Sequence, residues 1–303
     1  MKRKFFEIIK LCYSPISIFS PVPFFAIMVF VFAYRTIPLA ELPIPLLIAG
    51  VSVSLLTSFA SNFWNHTNDI IEDLAQGKKN ALTENMISQR HAVMISVLLY
   101  LASGFLIGYI SFELKRPSYL FFYIWVLVTW WYSDNIFFKR IFYFRLKSHY
   151  IGELITYIIA YPTYTLGTWL IYSDLNMTGL MLATAFSCFG ISVVLLKDLK
   201  DISGDRKAGL RTLGVVFPPS KLLCSSCVFL LLYYIIILSS IIFNIFSHGI
   251  LLIIIPFFCF LKSTFLHFIK KEWKIEAGDV RQIKSMCVIT YFSIIVLGAG
   301  SYI

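Results

Sequence analysis

Lys197-Asp198-Leu199-Lys200-Asp201-Ile202-Ser203-Gly204-Asp205-Arg206-Lys207-Ala208-Gly209 follows a run, Met181 to Leu196, that carries no charge at all. An uncharged apolar run that turns abruptly into a stretch dense in both signs of charge reads as a helix leaving a bilayer. Asp198, Asp201 and Asp205 are spaced i, i+3, i+7, which on a helix stacks three carboxylates on one face. Such acids repel one another unless a cation sits among them, and oxygen-only ligands favour Mg²⁺ over zinc. Lys197, Lys200, Arg206, Lys207 and Arg211 are interleaved with them. Carboxylates that hold Mg²⁺ beside Lys and Arg make a receptor for a diphosphate. The same mixture also serves an ordinary solvated loop, and only a second cluster of the same kind separates the two readings.

The rest of the 303-residue chain is in keeping with a membrane setting. It is 58% hydrophobic and 17% aromatic, with 14% charged residues and a mean hydropathy of +0.79. A soluble protein carries roughly 25% charged residues. The net charge of +10 does not indicate a nucleic-acid partner. In a chain this apolar it follows from the bias of Lys and Arg toward one membrane face. Nine segments approach the roughly 20 residues that span a bilayer: 16–35, 43–64, 91–112, 118–135, 150–173, 177–197, 222–244, 248–267 and 284–302. Threaded through these spans, all of the 26 Lys and Arg residues except Arg35, Lys115 and Arg116 fall on one side. That side is cytoplasmic, which puts the N-terminus inside and the C-terminus outside. The first residues, 1–15, read as a basic interfacial helix rather than a cleaved leader, since the following apolar run is long and has no clean small-x-small site.

Chemistry is therefore expected at one face only. Among the acids just Glu41, Glu113 and Asp174 lie on the outer side, and the long polar connections all lie on the cytoplasmic one. The cap segments are 65–90, 136–149 and 198–221, with a further basic stretch at 268–283 read as membrane-surface contact. In the first cap, Asn65, Asn68, Asp69 and Glu72 are spaced i, i+3, i+4, i+7, with Asp73 beside them. Four oxygen-bearing side chains on one face exceed what the cap of a helix end requires. Asp201 lies well down the chain from Asn68, with four spans between the motifs. The expectation is of two four-helix units, each with an acidic cytoplasmic end, plus one final helix. A site between such units would let both stripes hold Mg²⁺ ions bridging a diphosphate. The middle cap is basic and aromatic. Arg145 and Lys147 are candidate diphosphate ligands, and Tyr132 a candidate wall for a developing cation. The five histidines show no ligand pairing, and Cys224-Ser225-Ser226-Cys227 is a lone pair of thiols with weak metal or redox meaning.

Asn65-x-x-Asn68-Asp69-x-x-Glu72-Asp73 resembles the first motif of the UbiA superfamily of intramembrane prenyltransferases. Asp198-x-x-Asp201-x-x-x-Asp205-Arg206-x-x-Gly209-x-x-Thr212-Leu213 resembles the second. Tyr132-Ser133, Arg145-Leu146-Lys147 and Gly152-Glu153 resemble the segment after the family's fourth span, with a longer gap. Glu72 stands where the family commonly has Asp, and Gln76 where it often has another. The resemblance covers nearly the whole chain. It implies a single prenyltransferase domain over 1–303, an all-α bundle of nine transmembrane helices around a central cavity with a cytoplasmic polar cap. It also implies Mg²⁺-dependent transfer of an isoprenyl chain from an allylic diphosphate to a hydrophobic acceptor, through an allylic carbocation. Asn68, Asp69, Glu72, Asp198, Asp201 and Asp205 would be catalytic. Two Mg²⁺ ions would be held by Asn68, Glu72, Asp73, Asp198, Asp201 and Asp205. Asn65, Arg145, Lys147 and Lys200 would take the diphosphate, and Tyr132 would face the carbocation. The second motif is worded most like menaquinone-pathway members. The Tyr-Ser to Arg-Leu-Lys wording leans toward chlorophyll-synthase-like and ether-lipid members, so the acceptor stays open between an aromatic quinone precursor, a tetrapyrrole and geranylgeranylglyceryl phosphate. A transporter, the rival from another class, would place isolated ionisable residues at mid-membrane depth, whereas here the acids sit at helix ends.

Overall fold

The computed structural model describes residues 2–12 and 22–303, and among these the side chains other than those of 2–4, 22, 23, 200, 201 and 277. Helices α1 (Lys2–Cys12), α2 (Val22–Ala33), α3 (Ile44–Asn68), α4 (Ile70–Ala75) and α5 (Gln89–Leu114) form the first part. They are followed by α6 (Ser118–Ser133), α7 (Phe138–Phe142), α8 (Tyr150–Tyr172), α9 (Met177–Lys207) and α10 (Leu213–Val216). The chain ends with α11 (Pro219–Ile242), α12 (Ile254–Phe260), α13 (Leu266–Lys270) and α14 (Val280–Gly300). A 3₁₀ stretch before α12 and a π turn between α12 and α13 make His248–Lys270 one continuous rod. Among the described residues there is no strand, only an isolated parallel bridge between His149 and Arg211.

Among the described residues, seven rods are long and apolar enough to cross a membrane: Ile44–Asn68, Gln89–Leu114, Tyr150–Tyr172, Met177–Leu199, Pro219–Ile242, His248–Lys270 and Val280–Gly300. Two further apolar helices, α2 and α6, lie where the first and fourth spans are expected; α6 is shorter, at 16 residues, and α2 begins at the edge of the described residues. The beginning of the expected first span, 16–21, lies outside the described residues. The protein is an integral membrane protein, all-helical in its described part.

Local chemistry sets the helix ends. The Asn176 side chain accepts from Gly179 N at 3.0 Å and starts α9, and Ser88 does the same for α5 through His91 N. Pro218 and Pro219 open α11, where a missing N–H costs nothing. Helix α9 is the axis of the bundle. Of its apolar window 72% is buried, against 28% for α5 and for His248–Lys270, which lie outside it. It packs on α8 and α11, while α3 pairs with α5 and α6 with α8. Phe186, Phe189 and Tyr233 meet in its core. Gly190 leaves room for the Tyr161 ring, whose atoms lie 2.4 Å from where a Cβ would stand.

The first acidic stripe departs from its expected form. A single helix does not carry Asn65, Asn68, Asp69 and Glu72. Helix α3 ends at Asn68, Asp69 adopts φ −96°, ψ 19°, and Glu72 and Asp73 belong to the separate short α4. Asn135 brings this about. Its N–H donates to Asn68 Oδ1 at 2.8 Å, and its Nδ2 takes the Asn68 main-chain oxygen, also at 2.8 Å. That main-chain oxygen is one of the carbonyls that a continuing helix would use itself. The second stripe follows its expectation, since α9 runs unbroken through Asp198, Asp201 and Asp205.

The basic stretch 268–283 is also more than a surface patch. Lys271 reaches both oxygens of Asp279, at 2.8 and 3.0 Å, and His267 Nε2 lies 2.9 Å from Asp279 Oδ1. Glu276 and Asp279 cap each other's backbone in a reciprocal box. The acids here are brought together by the turn between α13 and α14, not by helical spacing.

Candidate active site

The polar residues gather at the end of the bundle where α3, α6 and α9 meet the loops. The opposite end has the pair Arg116–Asp174 at 2.9 Å, and Arg35 donating to Phe32 O and Ile245 O.

At the polar end, residues 143–148 cross over the first motif as a strap. Tyr143, with φ +63°, ends α7 and turns the chain. Arg145 Nη1 then donates to Asp69 Oδ1 at 3.0 Å, and Nη2 pairs with Glu72 Oε1. Lys147 pairs with Asp69 Oδ2. Arg145 is only 3% exposed, and Asp69 and Glu72 are buried with it. Burial opposes the charge of Lys147, yet Asp69, and further off Asp205, hold its ammonium above the usual lysine range. Lys147 thus pairs with an acid of the first motif and lies within electrostatic reach of one of the second. Tyr132, on α6, likewise lies within electrostatic reach of both Asp69 and Asp198.

Several contacts lock the second motif to this strap. Arg211 N donates to Ser148 O at 3.1 Å, and Tyr150 N to Arg211 O at 2.8 Å. Thr212 Oγ1 donates to Asp205 Oδ2 at 2.9 Å. Gly152 lets the start of α8 approach the strap, since a Cβ there would lie 2.2 Å from Leu146 O. Gly204 makes the same allowance for Gln76, whose side chain fills the space between α4 and α9.

The expected residues are therefore sorted. Asp69, Glu72, Arg145 and Lys147 are brought into one cluster, with Tyr132, Asp198 and Asp205 around it. Asn65 and Asn68 tie α3 to the end of α6: Ser133 Oγ donates to Asn65 Oδ1 at 2.7 Å, and Asn135 takes Asn68. Asp73 turns toward the following loop, 3.3 Å from His66 Nδ1, 2.9 Å from Asn80 Nδ2 and 3.4 Å from Lys78 Nζ. Burial would raise its carboxyl, but the His66 hydrogen bond and charge, with Lys78, hold it below the usual aspartate range. The Lys200 and Asp201 side chains lie outside those described. Sequence reasoning assigned no role to Glu153, Ser133, Asn135 or Thr212. Asn135 and Ser133 flank the end of α6 and could have been flagged as polar residues closing an apolar span. Cys224 and Cys227 remain free thiols, and Cys227 Sγ packs 3.8 Å from Met286 Sδ.

Among the described residues, no three His, Cys, Asp or Glu side chains converge closely enough to enclose a metal ion. Arg145 and Lys147 instead neutralise the first motif. The donor set still suits a hard divalent ion, because it is built of carboxylates. Glu72 Oε2 is buried with no hydrogen-bond partner, an oxygen left for a cation.

The sequence matches the family described as the UbiA prenyltransferase family over residues 22–283. An uncharacterized protein of Archaeoglobus fulgidus is 32% identical over 279 residues, covering 92% of this chain and 93% of that protein. Among solved structures, one from work on digeranylgeranylglyceryl phosphate synthase in membranes is similar, with a TM-score of 0.73, 17% identity and 99% of both chains covered. A UbiA homologue from Archaeoglobus fulgidus bound to GPP and Mg²⁺ gives a TM-score of 0.63 at 14% identity, covering 99% of this chain and 100% of the other. Agreement of fold at such low identity speaks for the architecture alone, but the family match spans most of the sequence: the chain belongs to the UbiA prenyltransferase family and is an integral membrane prenyltransferase.

Proposed function

We propose that the protein transfers an isoprenyl chain from an allylic prenyl diphosphate to a hydrophobic acceptor, with Mg²⁺, at the cytoplasmic end of a nine-helix bundle. The nine helices count α2 and α6 as spans beside the seven longer rods, arranged as two four-helix units plus one within a single domain. The observation that carries the reading is the buried cluster of Asp69, Glu72, Arg145 and Lys147 set against Asp198 and Asp205. Structures of homologues bound to GPP or DMAPP together with Mg²⁺ support it.

Asp69, Glu72, Asp198, Asp201 and Asp205 would hold Mg²⁺, with Asn68 nearby; Asp73 is engaged with its own loop. Bound there, the ion would neutralise the diphosphate and ease its departure. Arg145 and Lys147 exchange carboxylate partners for diphosphate oxygens, which are equally good acceptors for a guanidinium fork and an ammonium. As negative charge builds on the leaving oxygen, these two cations stabilise it. Tyr132 presents an aromatic face to the positive charge left on the allylic carbons. The aromatic and aliphatic bundle below excludes water, so the acceptor rather than water takes the chain. For the acceptor, an aromatic quinone precursor is our reading, with geranylgeranylglyceryl phosphate and a tetrapyrrole as the other outcomes of the same assay.

The test is diphosphate release by the purified protein in detergent. Geranylgeranyl diphosphate is supplied with and without Mg²⁺, against dihydroxynaphthoate, hydroxybenzoate and geranylgeranylglyceryl phosphate. Mg²⁺-dependent release with one acceptor, lost in Asp198→Ala and Asp201→Ala, is expected. Full activity in those two variants would overturn the site assignment.

A further inference from the structure

The face that α6 turns away from the bundle does not stop at the end of that helix. Leu120, Ile124 and Leu127 follow one another at helical spacing and are exposed, as side chains that meet lipid are in a membrane-spanning helix. Trp131, one turn further on, continues their stripe. Phe138, Phe142 and Phe144 gather around its indole, with ring centroids 5.6, 4.9 and 5.5 Å away. Trp131 Nε1 also donates to Phe144 O at 3.3 Å. Ile141 and Tyr143 stand out further, Tyr143 at 89% exposure. Lys139 and Arg140 are exposed on the same short helix, α7, and Lys139 Nζ donates to Asn135 Oδ1 at 3.2 Å.

Residues 137–144 thus keep more apolar surface exposed than a water-facing loop retains. The patch is continuous with the lipid-facing stripe of α6, so lipid is what it meets. Tryptophan and tyrosine favour the headgroup layer, which is apolar on one side and wet on the other. Tyr143 adds a backbone argument. At φ +63° glycine or asparagine would be the easier residue, and a tyrosine there buries almost nothing within the protein. Its ring finds its place at the interface instead. Lys139 and Arg140 complement phosphate, and each basic residue near an anionic leaflet strengthens the contact about fivefold.

We propose that residues 137–144 form an interfacial anchor for the leaflet at the polar end of the bundle: the rings around Trp131, with Ile141 and Tyr143, enter the headgroup layer, and Lys139 and Arg140 take the phosphates of anionic phospholipids. The anchor is joined to the polar cluster at two points. Asn135, which holds Lys139, also holds Asn68. Phe144 directly precedes the buried Arg145. The anchor thereby fixes the height of the strap relative to the bilayer. The contact does not depend on the prenyl-transfer reading, because none of its residues is among those placed in the site.

The experiment uses the full chain with its six cysteines replaced, in nanodiscs of phosphatidylcholine with and without phosphatidylglycerol. A nitroxide at Ile141→Cys is compared with one at Lys79→Cys, in the exposed part of the first cap. Collision with oxygen, which partitions into lipid, is measured against collision with a nickel chelate, which stays in water. Oxygen is expected to dominate at Ile141 and the chelate at Lys79. A label at Ile141 as open to the chelate as that at Lys79 overturns the inference. So does one closed to both, since a second copy of the chain would then cover the patch. A fluorophore at Ile141→Cys next reports quenching by lipids spin-labelled near the top of the acyl chain. Its preference for phosphatidylglycerol over phosphatidylcholine is expected to fall about fivefold or more when Lys139→Gln and Arg140→Gln are added, with Tm in detergent unchanged. An unaltered preference overturns the inference. Should that variant fail to fold, Arg140→Gln alone decides, with a fall of about twofold or more expected and no fall overturning the inference.

Discussion

Arg145 shows how a single side chain holds the polar end together. Its guanidinium satisfies Asp69 and Glu72 in a site where all three are buried. Removing one partner of a buried pair leaves an uncompensated charge, which costs about 3–5 kcal/mol. Arg145→Ala should therefore lower thermal stability by about that much in detergent and remove turnover, whereas Arg140→Ala, on the exposed face of α7, should change neither. Asp73 gives a prediction with a pH signature. Its carboxyl is held below the usual aspartate range when folded, so its stabilising contribution is present above the unfolded value near 4 and lost as pH falls through the lower folded value. Asp73→Asn should destabilise by about 1–2 kcal/mol at pH 7 and progressively less below pH 4, as followed by thermal unfolding across that range.

At the scale of elements, the strap of residues 143–148 and the start of α8 decide the placement of the site. The strap is held by its ion pairs, by the bridge to Arg211, and by the buried Leu146 and the Phe144 ring, which lies 5.5 Å from that of Trp131. The closeness of α8 depends on Gly152, because a Cβ there would collide with the Leu146 main-chain oxygen, which has no rotamer to give way. Gly152→Ala should cost about 1–3 kcal/mol and displace Arg145 and Lys147 together. The check is a fall in both Tm and pyrophosphate affinity, where a purely remote packing defect would lower Tm alone. The break between α3 and α4 follows the same logic. Asn135 takes the oxygens of Asn68, and the freed geometry lets Asp69 and Glu72 both turn toward Arg145.

For the whole molecule, the charge split predicts an orientation with the acidic end in the cytoplasm. In a background with the six cysteines replaced, Lys79→Cys should react with an impermeant maleimide only after the membrane is opened. Glu113→Cys, at the other end of α5, should react in intact cells. The reverse pattern would invert the topology. Much of this architecture was legible from residues alone. Uncharged runs such as Met181 to Leu196 report burial in lipid directly, because a charge at that depth is costly. The i, i+3, i+7 acids of α9 were legible because the helix continues through them, as its periodicity requires.

The sequence by itself determined that this is an integral membrane protein, where its polar end begins, and which family's motifs it carries. These are properties of local hydropathy and spacing, which each segment expresses whatever its neighbours do. The tertiary structure alone decided which acids meet which bases. Asp69 and Arg145 are far apart in sequence yet share a buried hydrogen bond, while Asp73, adjacent to Glu72, turns to His66 and Lys78 instead. Glu153 belongs to the same category. In the sequence it stands with Gly152 in a stretch that resembles the family, with no partner assigned to it. Only packing brings its two oxygens to Leu213 and Tyr132, because a side chain's partners are set by the elements that close around it, not by its own place in the chain.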